Sequence, residues 1–225
     1  MSRSQRRSWI VWTAVSAVLA IYCEVGFLAS MTAFADLKLE PGQKAELSLL
    51  SVMPRPLSME VWFRRKSAQD RRPELGSWAT APDDFSGRLK FENPGAALRV
   101  VASLPGQTPR VFEAMPASGY SSQDISRRLT SDLAVETGTW RWPPNRLGSP
   151  TVQAGLATLT IQISQVDPEI AGETVRLAVL PALGFKVAQD NVSWLWFWFA
   201  WPLFAVVQVV WAVVLIFRSK RAKSS

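Results

Sequence analysis

The sequence predicts a mainly β domain, an antiparallel β-sandwich with an immunoglobulin-like arrangement as its commonest example, flanked by two transmembrane α-helices. Three observations predict it. The run Trp194 to Phe217 carries no charge and is followed at once by Arg218, Lys220, Arg221 and Lys223. A second apolar run, Trp9 to Ala35, follows Arg3, Arg6 and Arg7. Between them lie short alternating segments cut by Pro and Gly, the pattern of strands rather than helices.

The N-terminal run is interrupted once, by Glu24. Ala33-Phe34-Ala35 matches a small-x-small cleavage site, so a signal peptide is the rival reading, but the apolar run is longer than a usual signal core and an uncleaved anchor is favoured. The C-terminal run of 24 residues reaches about 36 Å at about 1.5 Å per residue, enough to cross a hydrocarbon core of roughly 30 Å. Trp194, Trp196, Trp198 and Trp201 crowd its first end, as indoles do at a membrane interface. Basic residues at both chain ends place both termini in the cytoplasm of a bacterial inner (plasma) membrane and the middle in the periplasm. The chain then divides into a cytoplasmic N-terminus (1–8), transmembrane helix 1 (9–35), an extracytoplasmic domain (36–192), transmembrane helix 2 (193–217) and a basic tail (218–225).

Within the middle, Ala45 to Val52 follows the turn signal Pro41-Gly42 and reads as a strand. Leu57 to Arg65 is the clearest alternation: Leu57, Met59, Val61 and Phe63 point one way, and Ser58, Glu60, Trp62 and Arg64 the other. Arg88 to Phe91, Ala97 to Ser103, Ala157 to Val166 and Thr174 to Leu180 read likewise, the last two as neighbours joined across Asp167 to Glu173. Ser121 to Val135 fits either a short helix capped by Ser121 with Asp124 or a strand. No internal repeat is visible.

The net charge of +7 and pI near 10.1 do not point to nucleic acid, because the excess sits in the two juxtamembrane ends and leaves the middle nearly neutral. The chain has no histidine and one cysteine, Cys23. That removes His-containing metal sites, His general bases and Ser–His or Cys–His nucleophiles, and leaves the outer domain without a disulfide. Asp83-Asp84 and Asp167-x-Glu169 read as turn acids, and no phosphate loop, calcium loop or nucleophile elbow is present. Asn191-Val192-Ser193 is a glycosylation sequon, discounted for abutting the membrane. The expectation is a protein that is not an enzyme, without catalytic, cofactor or metal residues.

Two kinds of contact residue stand out. Glu24, counted up its helix, falls level with Pro202 and the indoles of Trp198 and Trp201; it is expected either to bond these or to meet a polar group on another protein's helix, while Gln208 counts as too deep by roughly 9 Å. In the outer domain, Arg64, Arg65, Arg71 and Arg72 form a basic loop, and Trp140 and Trp142 form a stiff aromatic loop; both are candidate interaction loops, with a solvated hairpin end and a buried plug as the plain alternatives. Two membrane helices enclosing an outer β-domain resemble the general plan of small accessory subunits in bacterial inner-membrane complexes. That layout implies a non-enzymatic accessory or scaffold subunit, with other membrane proteins as hetero-oligomeric partners, the lipid bilayer as medium and no nucleic acid. The alternative is an autonomous membrane-anchored binding protein, an immunity protein or ligand sensor.

Overall fold

The computed structural model describes residues 3–79, 88–131, 138–141, 149–181 and 199–221. Two apolar helices, α1 (Arg3–Ser30) and α2 (Trp201–Arg221), form one compact unit. The second unit holds thirteen described strands: β1 (Ala33–Lys38), β2 (Lys44–Ser51), β3 (Arg55–Pro56), β4 (Met59–Arg64), β5 (Ser77–Trp78), β6 (Arg88–Asn93), β7 (Leu98–Ser103), β8 (Arg110–Tyr120), β9 (Asp124–Thr130), β10 (Thr139–Arg141), β11 (Thr151–Val152), β12 (Gly155–Val166) and β13 (Thr174–Val179).

Eight strands make one antiparallel sheet in the order β1-β13-β4-β9-β8-β7-β12-β2. Its two edges, β1 and β2, are consecutive in the chain and lie side by side, so the sheet nearly closes on itself. The turn that joins them uses Gly42 at φ 87 and is tied to β12 by Gly42 N–H donating to Ile163 O at 2.8 Å. Mainly antiparallel β was legible; the division into two facing sheets that defines a sandwich is replaced by this single sheet, with a three-stranded sheet, β10-β6-β5, and a two-stranded one, β11-β3, beside it.

Period-two alternation sorts the core. Met59, Val61 and Phe63 of β4, Leu159, Ile161 and Ile163 of β12, and Val175, Leu177 and Val179 of β13 are all at most 2% exposed and meet in one cluster. β12 and β13 are not neighbours, contrary to the sequence expectation: β12 pairs with β7 and β2, and β13 with β1 and β4, because the β1–β2 hairpin lies between them. Helix 1 ends at Ser30 rather than Ala35, since Ala33, Phe34 and Ala35 pair with Val179, Ala178 and Leu177. Ser30 Oγ closes the helix by donating to Phe27 O at 2.8 Å. At the other end α2 continues through Arg218 to Arg221, into the expected tail. Trp194 to Trp198, the sequon at Asn191 and Asp83-Asp84 lie outside the described residues.

Ser121 to Thr130 resolves as a turn and a strand. Ser121 Oγ accepts from Asp124 N at 2.8 Å, which starts β9 rather than a helix. Ile125, Arg127 and Leu129 then face inward. Arg127 is fully buried, and its guanidinium donates to the carbonyls of Met115 (2.7 Å), Ala96 (2.6 Å), Ala114 (3.0 Å) and Pro94 (3.1 Å). These bonds span a register shift in β8 between Ala114 and Ala117. Burial holds the Arg127 pKa down to about 10, which still leaves the group charged at neutral pH.

Candidate functional site

Two places gather the predicted contact residues, one in each unit. In the helical unit, α1 and α2 run antiparallel. Gln5 Nε2 donates to Arg218 O at 3.4 Å, Trp12 Nε1 to Gln208 O at 3.0 Å and Ser16 Oγ to Gln208 Oε1 at 3.2 Å, and the rings of Tyr22 and Phe204 lie 6.5 Å apart. Gln208 is therefore the polar clasp of the pair. The depth count set it against Glu24 alone and overlooked Ser16 and Trp12 as partners on its own layer.

Glu24 falls in the layer of Trp201 and Pro202, following the step from Tyr22 and Phe204. All three are exposed, and no hydrogen bond joins them. Pro202 sits in the first turn of α2, where its missing N–H removes no bond from the helix interior. Trp198 lies outside the described residues. Both helices are long and apolar enough to cross a membrane, and they expose Ile10, Val18, Ile21, Leu203 and Val209, each more than half accessible.

In the strand unit, the four predicted arginines divide into two kinds. Arg72, at φ 47, grips Glu173 with two bonds of 2.6 and 2.9 Å and Glu74 with one of 2.6 Å, and lies 5.5 Å over the Phe63 ring. Burial disfavours its charge, but the bonds and charges of Glu173 and Glu74 outweigh that and raise its pKa. Arg65 donates to the carbonyls of Asp70 (2.9 Å), Ser121 (2.6 Å) and Ala68. These two brace the loop from inside. Arg64 and Arg71 remain exposed.

Arg64 opens onto a polar groove of about 280 Å³ on the outer face of the sheet, lined also by Asp36, Trp62, Asp124 and Arg176. The register builds it: Asp36 stands opposite Arg176, Arg176 opposite Trp62, and Arg64 opposite Asp124. Arg176 Nε bonds Asp36 Oδ1 at 3.1 Å and its guanidinium lies 5.8 Å over Phe34, whose ring meets Trp62 edge-on at 5.4 Å. Trp62 Nε1 donates to Glu60 Oε2 at 3.2 Å. Two acids and two arginines make the groove neutral overall, able to offer donors and acceptors together. The basic loop was visible in the sequence; the groove was not, because its residues come from four strands.

Trp140 is buried, 6% exposed, against Met115, with Trp78, Leu89 and Phe91 around it, and Trp78 Nε1 donates to Ala117 O at 2.9 Å. It packs the three-stranded sheet onto β8. Trp142 lies outside the described residues. Among the described residues, no group of three or more His, Cys, Asp or Glu side chains is placed to hold a metal ion.

No family model and no curated protein matches the chain. Among solved structures, it is similar to a crystal structure of a protein from Sulfurospirillum deleyianum, at 12% identity and a TM-score of 0.39, covering 67% of this chain and 97% of that one. So distant a likeness says nothing about what the chain does.

Proposed function

We propose that the chain is a non-enzymatic accessory or scaffold subunit of a bacterial inner-membrane complex, a two-pass protein with cytoplasmic termini and a periplasmic β-domain. The observation that carries this is Glu24. It lies exposed on a helix of spanning length, while the polar groups that join α1 to α2 are elsewhere, at Gln5, Trp12, Ser16 and Gln208. A carboxylate in such a helix is costly against lipid and is ordinarily met by protein or water, which supports a polar or basic group on a partner's helix. The experiment is co-purification in mild detergent. Glu24→Leu lowers recovery of stoichiometric membrane partners, Glu24→Gln lowers it less, and both leave the β-domain folded. Unchanged recovery with both substitutions removes the partner role.

The neutral groove at Trp62 supports a second reading, an autonomous membrane-anchored binding protein such as an immunity protein or ligand sensor. In that case the purified chain brings no membrane partner, and Trp62→Ala abolishes capture of whatever soluble ligand or toxin it takes. Stoichiometric membrane partners that survive Trp62→Ala favour the subunit.

A further inference from the structure

The helical unit gathers cations that are distant in sequence. Gln5 donating to Arg218 O brings the start of α1 beside the end of α2, so Arg3, Arg6 and Arg7 lie at the same end as Arg218 and Lys220. All five side chains are exposed, and the described residues of that end include no acid. None of the five has an ion pair among the described residues. A surface that repels itself in this way is stabilised by an anion from outside.

The neighbouring layer says which anion. Trp9 and Trp12 meet edge-on at 5.6 Å, about 5 to 9 Å further along α1 than Arg6. Trp12 is bonded to α2, and the exposed aliphatic surface continues beyond it with Val15, Val18 and Ile21, the last two more than half accessible. Cations outermost, indoles next and aliphatic side chains beyond reproduce the order of a bilayer's headgroup, interfacial and hydrocarbon layers. A nucleic acid would meet the cations and leave the indoles and aliphatic belt unused.

We infer that this end of the helix pair is a composite binding site for an anionic phospholipid headgroup, built jointly by Arg3, Arg6 and Arg7 of α1 and Arg218 and Lys220 of α2. The inference rests on reading the two helices as membrane spans. It goes beyond topology control because it requires both clusters at one place, whereas an orientation signal acts through each flank separately.

The test uses the full chain in nanodiscs, where both faces are accessible and insertion direction does not matter. Discs of phosphatidylcholine alone are compared with discs containing phosphatidylglycerol, and lipid retained on release is read by native mass spectrometry. Phosphatidylglycerol is expected to be retained about tenfold over phosphatidylcholine. Substituting either Arg3, Arg6 and Arg7 by Gln, or Arg218 and Lys220 by Gln, should bring that preference close to one, while Lys in place of the arginines keeps most of it. Equal retention of the two lipids overturns the inference, as does a preference that survives either set alone or is abolished by competing short duplex DNA. Flotation with phosphatidylcholine vesicles separates the failures: a chain that floats without lipid preference loses only this inference, and one that does not float loses the membrane reading with it.

Discussion

Replacing Arg127 by Met removes one side chain of similar length and leaves four backbone acceptors without their donor, the buried carbonyls of Met115, Ala96 and Ala114 and the carbonyl of the exposed Pro94. Each buried carbonyl left unpaired costs about 1–3 kcal/mol, while removing the guanidinium recovers several kcal/mol of its burial penalty. Carbonyls cannot be mutated away, so the loss dominates, and a net destabilisation of about 3–4 kcal/mol is expected. With a urea slope of about 2 kcal/mol per molar, the unfolding midpoint of the isolated 31–182 fragment should fall by about 1.5–2 M. Arg127→Lys offers three donors from one atom and cannot span the fork, so about half the loss remains. The pH dependence follows from the sign of the shift. Burial lowers the folded pKa to about 10, so both states carry the proton below that pH and the contribution is constant there. Stability from this group rises only above about pH 10, where the unfolded chain still holds a proton that the folded one sheds. The group therefore adds no slope between about pH 6 and 9. An Arg127→Met fragment within about 0.5 kcal/mol of the parent would refute the reasoning, since the guanidinium would then only fill space.

Two further expectations concern the same domain. Gly95, at φ 75, leaves no room for a side chain, because a Cβ there would stand 2.6 Å from Gly76 N; Gly95→Ala should cost about 2–3 kcal/mol, against about 1 for Gly106→Ala, which has a similar φ and open space, as read from urea midpoints. A fragment of residues 31–182 should unfold cooperatively and be at least about 2 kcal/mol more stable than one of 36–191, because the later start deletes Ala33, Phe34 and Ala35 from β1; equal stability would mean that those pairs contribute nothing.

Alternation made β4, β12 and β13 readable, since each has one face wholly in the core. The same rule failed at β9, where the inward position between Ile125 and Leu129 is an arginine that carbonyls satisfy, and only the fold reveals those carbonyls. β8 was missed because Phe112 to Ala117 is buried on both faces, one under the core and the other under Trp78 and Trp140. β1 was absorbed into helix 1 because Met31 to Ala35 prolongs its apolar run without a Gly or Pro to mark the end. Of the candidate contacts, the arginine loop could be found by composition, but which arginines are free depended on Glu173, about a hundred residues away in sequence.

The pairing of β1 with β13 also fixes how the domain answers to force. The chain enters at Ala33 and leaves at Val179, two residues that face each other at the open end of one antiparallel ladder. Tension that separates those two points loads the ladder from its tip, so its backbone bonds break one after another rather than sharing the load in shear. The domain is thus mechanically soft along this one direction, however stable it is in urea, and once Lys38 parts from Thr174 the edge of β13 is left without its partner strand.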